Sequence, residues 1–165
     1  MELAFSPMEM KIRCLDSAYS ATNQIACRNS SIFGQKRLSM SEITKIGAFQ
    51  WADLTVPNAL AIKDFYANVI GFTVQEVPMD GYEDFCLNSP TDGFAKAGVC
   101  HAKGANTDLP PVWLVYFNVA DLDQSLKSVE DGGGKIISGP KSYGETSRYA
   151  VIQDPAGAFC ALFQH

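Results

Sequence analysis

Two segments of this chain carry one pattern when aligned at an offset of 63 positions. "GAFQWADLTVPNALAIKDFYANVIGF" starts at Gly47, and "VWLVYFNVADLDQSLKSVEDGGGKII" starts at Val112. At that offset Trp51 meets Leu114, Val56 meets Val119, Asn58 meets Asp121 and Gly71 meets Gly134. Each copy reads as a strand, a cap, an amphipathic helix and a glycine stop. Asn58 and Asp121 are short polar residues that can accept from free helix N–H groups. Leu60, Ile62, Phe65, Tyr66 and Val69 form one helical stripe; Leu122, Leu126 and Val129 form the other. Gly71 and Gly134 stand where a helix end favours φ > 0.

The repeat continues with a one-residue insertion, so that Gly93 meets Gly157 and Ala97 meets Ala161. Strand-like runs fill the gaps at 72–77, 82–88 and 93–101, then at 134–138, 148–153 and 158–164. Each half is therefore expected to be βαβββ, with modules at 46–105 and 111–165. One such half leaves a sheet face uncovered, so an α+β fold is expected in which the two modules pair their sheets around a shared cavity.

The carriers of this pattern are "DLTVPN" and "KDFYANVIGF" in the first half, and "VYFNVADLD" and "VIQDPAGAFCALF" in the second. On them, residues 46–165 resemble the vicinal oxygen chelate superfamily, the glyoxalase, bleomycin-resistance and extradiol dioxygenase group. In its metal-dependent members, His, Gln or Glu on the first and last strands of each half reach into the cavity. Those positions fall here on Trp51, Ala97, Leu114 and Ala161. None offers the carboxylate, imidazole or thiolate donor that a divalent cation needs. A metal-free member is expected, with no cofactor. A different metal set drawn from Asp53, Cys86, Cys100 and His101 stays open.

Side chains alternate along a strand. If Trp51 faces the cavity, so do Phe49, Asp53 and Thr55, while Leu54 and Val56 face the helix. Val112, Leu114, Tyr116 and Asn118 face it from the second half, with Trp113, Val115, Phe117 and Val119 toward the helix. Tyr82, Asp84 and Cys86 are set against Arg148, Ala150 and Ile152, and Ala97, Val99, Ala161 and Phe163 complete the lining. The expected ligand site is thus Trp51, Asp53, Tyr82, Asp84, Ala97, Leu114, Tyr116, Arg148, Ala161 and Phe163. An aromatic and apolar wall with a few charges suits a small aromatic or cationic molecule. Proton transfer, if any, would fall to Asp53, Asp84 or Tyr116. There is no GxSxG, no HExxH and no plausible Ser-His-Asp set. "DGGGK" at Asp131–Lys135 follows a helix instead of opening one, so it reads as a stop and not as a phosphate loop.

The resemblance therefore implies a small-molecule-binding protein, as in the sequestering bleomycin-resistance branch, and a homodimer. Two other readings compete with it. One is a lyase, isomerase or dioxygenase of the glyoxalase type with an atypical site. The other is a structural or regulatory module whose cavity is filled by side chains.

Charge narrows the partners. The net charge is −5, which does not fit a nucleic-acid footprint. No run reaches the roughly 18 apolar residues of a membrane span. Residues 1–45 hold six Lys/Arg and four Asp/Glu, whereas the rest hold seven and fourteen. That first stretch has no sustained periodicity and no secretory signal pattern. "MSEITKIGAF" at Met40 reads as a natural start, which would make residues 1–39 upstream translation or a disordered extension. Asn29-Ser30-Ser31 reads as a chance glycosylation match. Five cysteines without a CxxC argue against a disulfide framework. They read as small buried hydrophobes in a reducing, cytoplasmic setting.

Overall fold

The computed structural model describes residues 46–143 and 146–165. The expectations for residues 1–45 lie outside the described residues. The elements are β1 (Phe49–Val56), α1 (Ala59–Ile70), β2 (Thr73–Pro78), β3 (Glu83–Asn88) and β4 (Ala95–His101). A 3-10 turn (Gly104–Asn106) leads to β5 (Trp113–Asn118), α2 (Leu122–Asp131), β6 (Lys135–Tyr143), β7 (Ser147–Gln153) and β8 (Phe159–Gln164). Both halves are βαβββ, as the repeat predicts. No helix among the described residues is long and apolar enough to cross a membrane.

The chain divides into two compact units, and β1 belongs to both. The first unit holds Leu54–Asp108. Its strands run in the order β2-β3-β4, antiparallel, with the end of β1 beside β4. There the Ala102 N–H donates to the Val56 carbonyl at 3.0 Å. The second unit holds residues 46–53 and Leu109–His165, in the order β1-β5-β8-β7-β6. β5 and β8 are parallel, while β6, β7 and β8 are antiparallel.

The two helices meet the expectations unequally. In α2, the Asp121 carboxylate accepts from the Gln124 N–H at 2.9 Å. Leu122 and Leu126 are buried against Ala150 and Ile152, with Val119, Val129, Ile136, Cys160 and Leu162 packed around them. This is an ordinary amphipathic helix on a sheet. In α1, Asn58 makes no side-chain cap bond. Only Ala59 is buried, while Leu60, Phe65, Val69 and Ile70 are 53–63% exposed. The expected apolar stripe of α1 is therefore mostly on the surface.

The stops differ too. Gly71 takes φ +87°, and its N–H donates to the Ala67 carbonyl at 2.9 Å. In the second half the left-handed residue is Gly133 (φ +83°), not Gly134. Gly134 is needed for space: a Cβ there would sit 2.8 Å from the Gln153 carbonyl oxygen.

Candidate functional site

The second unit has two distinct sheet faces. Directly paired residues of neighbouring strands share a face. Phe117 pairs with Leu162 and Leu162 with Ala150, which places this row under α2. The alternate rows are Tyr116–Ala161–Val151 and Asn118–Phe163–Tyr149. Every residue of these two rows is at most 2% exposed. The Tyr116 and Tyr149 rings lie 6.2 Å apart, tilted by 48°. Leu114, two residues before Tyr116, is buried on the same face.

On β1, beside β5, Trp51 and Asp53 are also buried. The Trp51 indole N–H donates to Asp53 Oδ1 at 2.6 Å. A bond from an N–H to a carboxylate is typically this short. Trp51, Asp53, Leu114, Tyr116, Ala161 and Phe163 thus all belong to the buried interior of one unit.

Two expected site residues face elsewhere. Ala150 and Ile152 lie under α2, so Arg148 lies on the helix-bearing face as well. There its guanidinium grips Asp123, on the first turn of α2, with two bonds of 2.7 and 2.8 Å. That pairing holds the Asp123 carboxyl below its usual range and raises the guanidinium. Ala97 pairs with Leu87, and Val99 with Phe85. The Lys63 ammonium of α1 lies 5.2 Å from the Phe85 ring centre, so this too is the helix-bearing face. The register slips for a physical reason. β3–β4 shifts between Leu87 and Asn88, and β6–β7 shifts twice. The β3–β4 shift puts an extra residue into β4 just ahead of Ala97, whereas the β6–β7 shifts lie on β6. β7 pairs with β8 in unbroken register, so Arg148 departs only from the fixed repeat offset that assigned its face. Tyr149 and Val151 take the places expected for Arg148, Ala150 and Ile152. Gly98, opposite Cys86, takes the place expected for Ala97.

Tyr82 and Asp84 belong to the first unit, where they meet a residue that strand patterning undervalued. Asp84 is fully buried. Its Oδ1 accepts the His101 backbone N–H at 2.8 Å and lies 3.2 Å from His101 Nδ1. Its Oδ2 is buried and has no hydrogen-bond partner among the described residues. Burial raises the Asp84 carboxyl above its ordinary pKa, against the opposing pull of the His101 bonds. The Tyr82 ring meets the His101 ring edge-on at 5.5 Å, and the Lys103 ammonium lies 4.5 Å from the Tyr82 ring centre. Burial and then the Asp84 charge raise the Tyr82 phenol. Asn106, in the turn that follows, is fully buried, and neither amide atom has a partner among the described residues. The signal for the Asp84–His101 pair was present in sequence only as two polar residues on adjacent strand-like runs. The turn between those strands sets which residues meet, and it was not legible.

The four positions that the resemblance gives to the superfamily's metal offer it no donor. Trp51, Leu114 and Ala161 carry no donor for a divalent cation, and neither does Gly98 in the place of Ala97. Among the described residues, no group of three or more His, Cys, Asp or Glu could hold a metal ion. Cys160 is a free thiol, and burial raises it. Cys86 is disulfide-bonded, against the expectation of a plain buried thiol.

Comparison with known proteins agrees with this architecture. The profile described as Glyoxalase/Bleomycin resistance protein/Dioxygenase superfamily matches residues 48–161. The anthracycline biosynthesis protein DnrV of Streptomyces peucetius is 34% identical over 130 residues, covering 72% of this chain and 47% of DnrV. CFP32 of Mycobacterium tuberculosis (strain CDC 1551 / Oshkosh), named as a candidate glyoxylase, is 30% identical over 119 residues, covering 72% and 46%. The chain thus spans about half the length of the curated relatives it matches. A solved superfamily member from Vibrio splendidus 12B01 is 17% identical with a TM-score of 0.49, covering 72% of this chain and all of that one. With its two βαβββ halves and the family profile matching residues 48–161, the chain belongs to the glyoxalase/bleomycin resistance protein/dioxygenase superfamily.

Proposed function

We propose that this chain is a small-molecule-binding member of its superfamily that works without the superfamily metal. It holds a planar aromatic compound, preferably a cationic one, against the buried face of the second unit. The observation that carries this reading is the buried Asp53 carboxylate, held by the Trp51 indole at 2.6 Å. A carboxylate beside aromatic rings suits a cation, and flat rings give it stacking surfaces. The name of DnrV adds a compound class, because anthracyclines are fused, planar ring systems and several carry an amino sugar.

The test is a titration with daunorubicin, followed through quenching of the protein's own tryptophan fluorescence. Saturable binding is expected, with affinity reduced at least about tenfold by Asp53→Asn, the cost of losing one charged contact. Binding that does not saturate, or that ignores Asp53→Asn, would overturn the reading.

We further propose that the chain pairs with a second copy of itself, in the cytoplasm. Two copies supply the chain length that the curated relatives carry in one. The exposed Leu60, Phe65, Val69 and Ile70 of α1 provide an apolar surface for such pairing.

A further inference from the structure

The Asp84–His101 pair of the first unit is independent of the aromatic face and is used by nothing described so far. Its geometry assigns a tautomer. Asp84 Oδ1 already accepts the His101 backbone N–H, so it is an acceptor whether or not Oδ2 carries a proton. The ring nitrogen facing it, Nδ1, must therefore donate. Neutral His101 then keeps its second nitrogen, Nε2, as an unprotonated base. The ring is not sealed in: its side chain keeps 15% exposure while that of Asp84 has none.

The surroundings fit a reacting anion. Lys103 is exposed and held over the Tyr82 ring, which in turn packs against His101. Phe85 approaches the same imidazole, with ring centres 6.0 Å apart. Cys100 and Asp80 act electrostatically on Tyr82 at the edge of the group. The unpartnered Oδ2 is a second sign of a working site, because a buried carboxylate oxygen without a partner is costly unless a charge beside it compensates. An imidazolium on His101 would be that charge.

We propose that His101 is a general base for a small carboxylate-bearing carbon acid, that Asp84 is its positioning residue, and that Lys103 binds the substrate carboxylate. In the step, a C–H bond next to a carbonyl breaks and its proton forms the Nε2–H bond. The electron pair moves onto the carbonyl oxygen as an enolate. The imidazolium faces Asp84, and returning the proton to carbon restores the base. No oxidant, reductant or metal takes part.

Pyruvate serves as the probe, with deuterium uptake into its methyl group followed by proton NMR in D2O. The wild-type chain is expected to exchange saturably, and His101→Gln to slow exchange by about a hundredfold. Lys103→Met should raise the half-saturating pyruvate concentration. Nitrogen-15 NMR of the histidine ring should show the Nδ1–H form in the wild type and lose that preference in Asp84→Asn. Circular dichroism of each variant confirms that it is folded. Exchange no faster than in His101→Gln overturns the base role, and an Nε2–H ring in the wild type overturns the role of Asp84. Unchanged half-saturation in Lys103→Met overturns the carboxylate subsite. Because the daunorubicin titration reads the other unit, either proposal can fail alone.

Discussion

Asp84 accepts twice from His101: Oδ1 takes the backbone N–H at 2.8 Å and faces the ring Nδ1 at 3.2 Å, while Oδ2 is buried with no partner among the described residues. A carboxyl raised by burial makes the folded state bind more protons than the unfolded one. Stability from this group is then fully present below the ordinary value of 3.8 and is lost as pH rises through the folded value. Urea denaturation of the wild type and Asp84→Asn across this range should show the wild type losing ground to the variant as pH rises. A difference that stays flat with pH would contradict the raised carboxyl.

Trp51 is 3% exposed, and its indole bonds a buried carboxylate. Trp51→Ala should cost about 3–5 kcal/mol in chemical denaturation, the usual loss for emptying a large core site. Trp51→Phe keeps most of the packing and removes only the donor, so its cost should be about 1–3 kcal/mol. A much smaller loss for Trp51→Ala would mean that solvent already reaches this position.

Arg148 pairs with Asp123 on the helix-bearing face. Arg148→Gln should therefore leave daunorubicin affinity unchanged. Its effect on stability should be small and should fade with added salt, as for other exposed pairs. A loss of binding in this variant would restore Arg148 to the ligand site.

Gly133 and Gly134 are neighbours that serve different needs. Gly133→Ala puts a side chain into open space at φ +83°, costing about 1–2 kcal/mol. Gly134→Ala brings a Cβ within 2.8 Å of backbone at Gln153, where neither side can yield cheaply. Thermal unfolding should rank Gly134→Ala as the worse variant.

If α1 pairs two copies, sedimentation should show a dimer in the wild type. Phe65, 53% exposed on α1, is a suitable probe. Phe65→Glu should then give a folded monomer. A wild-type monomer would leave this apolar surface to a different partner.

The sequence by itself determined the doubled βαβββ order, the caps and stops at Asp121 and Gly71, and the lack of metal donors at Trp51, Leu114 and Ala161. These depend on residue type and on local periodicity, which a chain displays wherever it folds. It also placed Trp51, Tyr116 and Phe163 in the interior, because strands with large apolar residues at alternate positions bury them. Only the tertiary structure decided that Arg148 and Ala97 lie on the helix-bearing faces: a bulge enters β4 just ahead of Ala97, and β7, in unbroken register with β8, turns Arg148 with Ala150 toward α2. Only it brought Asp84 onto His101, 17 positions away, because pairing across a hairpin depends on the turn and not on either strand. The side-chain period of a strand is two, so a one-residue shift leaves the composition of a strand untouched and reverses everything it presents.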